Sequence, residues 1–328
     1  MALLGSFFFG FVPMFIFAAF VNWLDRYEKE PKALLGAAFV WGVVIAGGGA
    51  YILNTMFGIG IYVLTGSESA ADFGTTSIVA PIVEEALKGL AVFVVFLMFR
   101  KEFDSILDGI VYGAITAMGF AAIENVLYIY RNGYQEGGWE GFWFLVVIRV
   151  VLVGWMHPFF TAFTGIGFAF ARLSKNFLVK IIAVPAGYLA AVTTHAFHNT
   201  FSTLVGGEGG FFLGLLADYF GYFIMIVFVI WIIAHERNIL KRQLQEEVTS
   251  GTISRTQYNT AISFFQINAH LSALTSGTFT PTKRFYQVLG ELAHKKDQLA
   301  KLGDESGNLE IIEGYRTELM KLAPMAKT

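Results

Sequence analysis

One apolar stretch, Ser77–Phe99 (SIVAPIVEEALKGLAVFVVFLMF), constrains this chain more than any other. As a helix rising about 1.5 Å per residue it reaches roughly 34 Å, enough to cross a hydrocarbon core of about 30 Å. Yet Glu84, Glu85 and Lys88 fall inside it. Each ionisable side chain near the bilayer centre costs about 2.5–3.5 kcal/mol on insertion scales, while each flanking Leu, Phe or Val returns only about 0.3–0.6. Charges this costly are expected at a functional site facing a wet, protein-lined cavity. The structural alternative is an ion pair, since Glu84 and Lys88 are i,i+4 neighbours, but a pair leaves the second Glu unexplained.

The stretch is one of seven apolar segments: Ser6–Leu24, Ala33–Leu53, Ser77–Phe99, Ile106–Tyr130, Phe142–Ala171, Phe177–Val205 and Phe211–Ala234. With 55% hydrophobic and 15% charged residues, the chain reads as a polytopic membrane protein. No basic region precedes Ser6–Leu24, so it is expected to be a first transmembrane helix rather than a secretory signal. Pro158 and Pro185 are the expected kink points of the two longest segments. Asn54–Leu64 is expected to be a re-entrant piece or a short outer helix.

Arg26, Lys29 and Lys32 lie in the first loop, Arg100 and Lys101 in the third, Arg172, Lys175 and Lys180 in the fifth, and Arg237, Lys241 and Arg242 after the last segment. The second and sixth loops have no Lys or Arg, and the fourth has Arg131 alone. The positive-inside rule therefore puts the N-terminus outside and the C-terminus in the cytoplasm of a multi-pass plasma-membrane protein. A net charge of −2 offers nothing to nucleic acid, and the absence of cysteine excludes disulfides, thiolate metal sites and a cysteine nucleophile.

From His235 the composition changes, with charges restored and apolar residues at helical spacing. Thr280-Pro281 is expected to cap a helix whose stripe is Phe285, Val288, Leu289, Leu292, Leu299 and Leu302. Gly303–Gly307 breaks it, and Ile312, Tyr315, Leu319 and Leu322 form a second stripe. The expected organisation is an all-α membrane bundle over 1–234 and a small helical cytoplasmic tail over 235–328. His235, His270 and His294 are expected to be solvated.

Other polar residues in the apolar segments share one level. Glu84 and Glu85 lie seven or eight residues from the outer end of their helix, roughly 10–12 Å in. Glu124 comes six residues before Tyr130, and His195, His198 and Asn199 some six to ten before Val205; His157 lies mid-segment. His195, His198 and Asn199 fall on one helix face, and Lys88 is within reach of either neighbouring Glu. Arg149 is expected to snorkel toward the outer surface, and Asp108 to cap its helix. Independent structural pairs have no reason to share a level, so one site is expected.

Clustered carboxylates in low dielectric cannot all ionise, which supplies an acid and a base for hydrolysis by activated water. His and Asn can donate to a developing oxyanion. Alternatively, a divalent metal such as zinc would take ligands from His157, His195, His198 and Glu124. HExxH, GxSxG, P-loop and dinucleotide fingerprints are all absent.

Five stretches in order, DRYEKEPKALLGAAFVWG (25–42), APIVEEALKG (80–89), DGIVYGAITAMGFAAIENVLY (108–128), HPFFTAFTGIGFA (157–169) and HAFHN (195–199), resemble the PrsW family of intramembrane proteases. That family stands within a wider group including the type II CAAX prenyl endopeptidases. The resemblance implies a site-1-type endopeptidase that clips a membrane-anchored, anti-sigma-factor-like protein on its extracytoplasmic side. In the prenyl endopeptidases a Glu of the first motif and the His of FxxxH activate water, and HxxxN forms the oxyanion site. Here Glu84, Glu85 and Lys88 match EExxK, and His195 and Asn199 match HxxxN. Phe120 is followed by Glu124 where those relatives have His. Two carboxylates sharing a proton, His157 or a metal would then complete the site. Family naming calls the members metalloproteases, though nothing in the spacing demands a metal. The wider group also contains a non-catalytic scaffold subunit, and clustered acids and His also suit a proton-coupled transporter, so both alternatives stand beside the protease.

Overall fold

The computed structural model describes residues 1–204, 207–304 and 307–328, with side chains outside 202–211. Every regular element among them is helical. Two compact units form: one comprises Met1–Leu24 and Glu30–Phe228, the other Asp25–Lys29 and Val229–Thr328. The division falls inside a helix, as does the 234/235 boundary expected from composition.

In the first unit α1 spans Ala2–Leu24, α2 Lys32–Trp41 and α3 Gly48–Thr65, the last two joined by a π-helical turn at Gly42–Gly47. Asn54–Leu64 is therefore neither re-entrant nor separate. It continues α3, which ends at Gly66, whose φ of 66° lets its N–H reach back to Tyr62. α4 (Glu68–Gly74), a π turn (Thr75–Val79) and α5 (Ala80–Met98) follow without a break. α6 covers Ile106–Leu127, capped by Ser105 and Asp108 in a reciprocal box, so Asp108 is a capping residue.

The 68 residues of Ile106–Leu173 would measure about 100 Å as one straight helix, far beyond one crossing. The chain folds back instead. Gly138, at φ 60°, makes the kink within α7 (Glu136–Val146). A second break at Val153–Trp155 separates the π turn Val147–Leu152 from α8 (Met156–Leu173) just before Pro158. α9 spans Phe177–Leu204 and carries Pro185 inside it, and α10 spans Gly207–Gln243. The expected end of the sixth segment, Val205, lies outside the described residues.

Among the described residues, five helical stretches are long and apolar enough to cross a membrane: Ala2–Leu24, Lys32–Thr65, Ile106–Leu173, Phe177–Phe201 and Phe212–Thr249. α5 differs from them in charge, because Glu84, Glu85 and Lys88 crowd its 19 residues. α10 exposes Leu216, Phe220, Phe223 and Ile224 among others, a surface suited to lipid rather than water.

α6 is the central helix, in contact with α1, α2, α5 and α8. It is buried without interruption from Leu107 to Ala122, which explains why no apolar stripe distinguishes it. Small residues permit this. A Cβ on Gly119 would collide with the Phe39 carbonyl, and one on Gly165 with the Gly109 carbonyl.

In the second unit α11 is Gln245–Thr249, α12 Arg255–Ala261, α13 Ile267–Thr275, α14 Phe279–Leu302 and α15 Asn308–Leu322. α14 starts two residues earlier than the Thr280-Pro281 signal suggests, with Thr278 as its N-cap. Phe285, Val288, Leu289 and Leu292 are wholly buried, and α14 pairs with α15. Arg284 clamps Glu318 through Nε and Nη2 at 2.7 and 3.0 Å. Residues 305 and 306 of the expected Gly303–Gly307 break lie outside the described residues. His294 is not solvated as expected. It is buried and its Nδ1 stands 3.5 Å from Glu28 Oε2. The stripe could not reveal this, because the partner comes from a loop more than 260 positions away in sequence.

Candidate active site

α5 places Glu84, Glu85 and Lys88 on its buried side. Glu85 is wholly buried and accepts three hydrogen bonds: from Lys88 Nζ (2.6 Å) and His195 Nδ1 (3.0 Å) at Oε1, and from Thr161 Oγ1 (2.8 Å) at Oε2. Lys88 is also wholly buried, and lies 4.3 Å from the Phe120 ring centroid. The Glu84–Lys88 ion pair weighed from sequence is present at 3.8 Å, and Lys88 is closer still to Glu85, at 2.6 Å.

Glu84 stands apart. Its Oε1 accepts from Asn54 Nδ2 at 3.3 Å, whereas Oε2 is buried with no hydrogen-bond partner among the described residues. His195 Nε2 is 3.8 Å from that oxygen. Because Nδ1 of neutral His195 donates to Glu85, Nε2 presents a lone pair, and two acceptors face each other. Phe160 stacks on the His195 ring at 4.8 Å and 15°, fixing its plane.

His157 opens α8 and uses both nitrogens. Nε2 donates to Glu124 Oε2 at 2.9 Å and Nδ1 accepts from Lys88 at 3.2 Å, one consistent tautomer. Glu124 also accepts from Arg149, whose Nε donates to Asn125 Oδ1 at 3.0 Å. Arg149 thus turns inward instead of snorkelling. The π turn that carries it offsets its side chain from plain helical register. Glu124 is half-buried, and without Arg149 its charge would keep only the His157 hydrogen bond among the described residues.

Glu84, Glu124, His157, His195, His198 and Asn199 line one cavity of about 300 Å³, and Glu85 and Lys88 lie behind its wall. Two of the expected residues are turned elsewhere. His198 Nδ1 bonds Asp218 Oδ2 on α10 at 2.8 Å, and Asn199 Nδ2 donates to the Thr76 carbonyl at 2.9 Å. Thr161 and Asp218 were not singled out from sequence. Asp218 carried a usable signal, being an acid in an otherwise apolar segment; Thr161, in a run of small and aromatic residues, carried none.

The metal-ligand set expected from sequence does not assemble. His198 is held by Asp218 and Glu124 by Arg149, and the three cavity residues whose donor atoms lie within 4.8 Å of one another are Glu84, His157 and His195. Three such ligands would suit zinc with an open position. The Lys88 ammonium, however, already donates to His157 Nδ1 and stands 3.8 Å from Glu84 Oε2. His157's other nitrogen is engaged by Glu124. A divalent cation would have to displace a buried ammonium from the same donors, so the residues as arranged do not fit one.

Among curated proteins, the chain is similar to "Protease PrsW" of Geobacillus kaustophilus, 29% identical over 150 residues, 46% of this chain and 59% of that protein. It is similar to "Protease PrsW" of Bacillus subtilis, 23% identical over 227 residues, 68% of this chain and 88% of that protein. "Protease PrsW" of Clostridioides difficile matches at 30% identity over 122 residues, 37% of this chain and 49% of that protein. The chain thus spans about half to nine-tenths of the length of these relatives. No solved structure gives a significant match. The family model described as PrsW family intramembrane metalloprotease matches residues 30–233, which contain every residue of the cavity just described, and the chain belongs to that family.

Proposed function

We propose that this chain is an endopeptidase that cuts a membrane-anchored, anti-sigma-factor-like protein on the extracytoplasmic side of the plasma membrane, with its own N-terminus outside and C-terminus in the cytoplasm. The observation that carries the chemistry is the buried Glu84 Oε2, without a hydrogen-bond partner among the described residues, in the cavity lining and 3.8 Å from His195 Nε2. A water within reach of both acceptors is oriented by both. Glu84 takes one of its protons as the water oxygen adds to the scissile carbonyl carbon. That proton passes to the amine nitrogen as the C–N bond breaks, so one water is consumed.

Glu85 and Thr161 hold His195 in the tautomer that keeps Nε2 facing the water, which is the orienting role of the third member of a catalytic triad. His195 Nε2 accepts a hydrogen bond from the water's second O–H, whose proton stays on the added oxygen and ends in the product carboxyl group; Asn199, held by the Thr76 carbonyl, takes no step. Glu85, Lys88, His157, Glu124 and Arg149 form a charge-balanced chain that keeps the acidic wall in place. His198, fixed by Asp218, closes the cavity beside them. No step is assigned to a metal.

The test is cleavage of a single-span membrane peptide by the full chain in proteoliposomes. In water labelled with oxygen-18, one label is expected in the new carboxylate, at a bond on the extracytoplasmic side. A full chain that binds such peptides without cutting them is a scaffold instead, and one that moves protons on adding substrate is a transporter.

A further inference from the structure

Two asparagines in the cavity wall each present a polar atom that the proposed chemistry does not use. Asn125 on α6 is 2% exposed. Its orientation is set by Arg149, whose Nε–H donates to Oδ1; Nδ2, a donor, is buried with no hydrogen-bond partner among the described residues. Asn54 on α3 is oriented the opposite way. Its Nδ2 donates to Glu84, which leaves Oδ1, an acceptor, buried and unpartnered. Both line the cavity that contains Glu84 and His195. One donor and one acceptor, each locked by a bond from the other end of its amide, are the complement of a peptide unit's C=O and N–H.

A substrate cut inside a bilayer needs such partners. Its scissile bond must leave the helix before water can attack, and the backbone groups so released find no water in the hydrocarbon to bond to. The wall atoms have the same need, since buried polar groups in folded proteins are nearly always matched.

We propose that Asn54 and Asn125 form a backbone-binding subsite: Asn54 Oδ1 accepts a substrate N–H and Asn125 Nδ2 donates to a substrate C=O, holding an unwound segment across Glu84. This rests on the endopeptidase function proposed above. The subsite reads main chain, so it tolerates any side chain at the bound position and demands only local unwinding. The substrate class is therefore a single-span segment with weak helical propensity near its outer end.

The experiment is an ester scan. In a single-span peptide that the full chain cleaves, each amide near the scissile bond is replaced in turn by an ester, which removes the N–H and weakens the carbonyl acceptor without adding bulk. At one linkage, or two adjacent ones, the ester is expected to lower kcat/KM about 3- to 10-fold in the wild type. Asn54→Ala is expected to remove part of that sensitivity, and so is Asn125→Asp, which keeps the acceptor for Arg149 but loses the donor. Together they should abolish it. An ester penalty undiminished in both variants, or none at any linkage in the wild type, overturns the subsite while leaving the endopeptidase intact. A full chain that cleaves no single-span peptide overturns the endopeptidase and the subsite with it.

Discussion

His195 Nε2 lies 3.8 Å from Glu84 Oε2, while His195 Nδ1 is bonded to Glu85 Oε1 at 3.0 Å. One imidazole therefore gives two adjacent glutamates different situations. Glu85 is saturated by Lys88, Thr161 and His195, whereas Glu84 keeps an open oxygen toward the cavity.

The two glutamates should accordingly fail differently when substituted. Glu84→Gln is expected to lower kcat by about 10²–10⁴, the usual range for a general base, with thermal stability retained. Glu85→Gln leaves the Lys88 ammonium without its partner at 2.6 Å, and breaking such a buried pair costs about 3–5 kcal/mol. Loss of activity with a markedly lower melting temperature in detergent is expected for Glu85→Gln only. Thermal unfolding and single-turnover cleavage measured on both variants check the assignment.

Lys88 donates to His157 Nδ1 and stands 3.8 Å from Glu84 Oε2, two of the donors a divalent cation would need. Chelation of the purified full chain is expected to leave cleavage unchanged. Lys88→Met removes the ammonium and frees His157 Nδ1, so that Glu84, His157 and His195 can ligate together. Metal analysis is expected to find zinc bound stoichiometrically in the variant and below stoichiometry in the wild type. Chelator-sensitive cleavage by the wild type would count against the assignment.

Arg149 and Glu124 should be coupled. Arg149→Met strands a half-buried carboxylate, and Glu124→Gln strands a guanidinium; the double variant strands neither. A coupling energy of about 0.5–3 kcal/mol is expected in a double-mutant cycle on stability. Arg149→Lys should not rescue, since an ammonium cannot bond Glu124 and Asn125 together in the same fork.

Close helix contact at the centre of the bundle should tolerate no added methyl. Gly119→Ala on α6 would press on the Phe39 carbonyl of α2, and Gly165→Ala on α8 on the Gly109 carbonyl of α6. Each is expected to cost about 1–3 kcal/mol, the range for over-packed cores. Gly60→Ala, with open space at its Cβ, serves as the control in the same thermal assay.

The α14–α15 pair should respond to pH through Glu291. Burial pushes this carboxyl above its ordinary value of 4.5, against the opposing pull of Arg284 and Gln287. A raised folded-state pKa means stability that is full below the unfolded value and lost as pH rises through the folded one. Amide exchange in α14, corrected for its intrinsic pH dependence, is therefore expected to be slower at pH 5 than at pH 7.5. Glu291→Gln should flatten that difference, because its amide carries no titration.

The sequence alone determined the all-α membrane character, since a run long enough to cross hydrocarbon has no other way to satisfy its backbone. It also marked Glu84, Glu85, Glu124, His157 and His195, because charges and imidazoles in apolar helices are too costly to be incidental. The α14 stripe was legible for a similar reason, being a local period of apolar residues. What each polar group is bonded to was decided only in three dimensions. Adjacent positions such as Glu84 and Glu85 are chemically identical until α8 and α9 bring Thr161 and His195 to one of them and leave the other open. Arg149 became an inward partner through a π turn that no spacing announces. His198 met Asp218 through the packing of a helix read only as apolar. Hydrogen-bond partners 20 to 110 residues apart in sequence depend on which helix faces meet, and that is a property of the whole bundle.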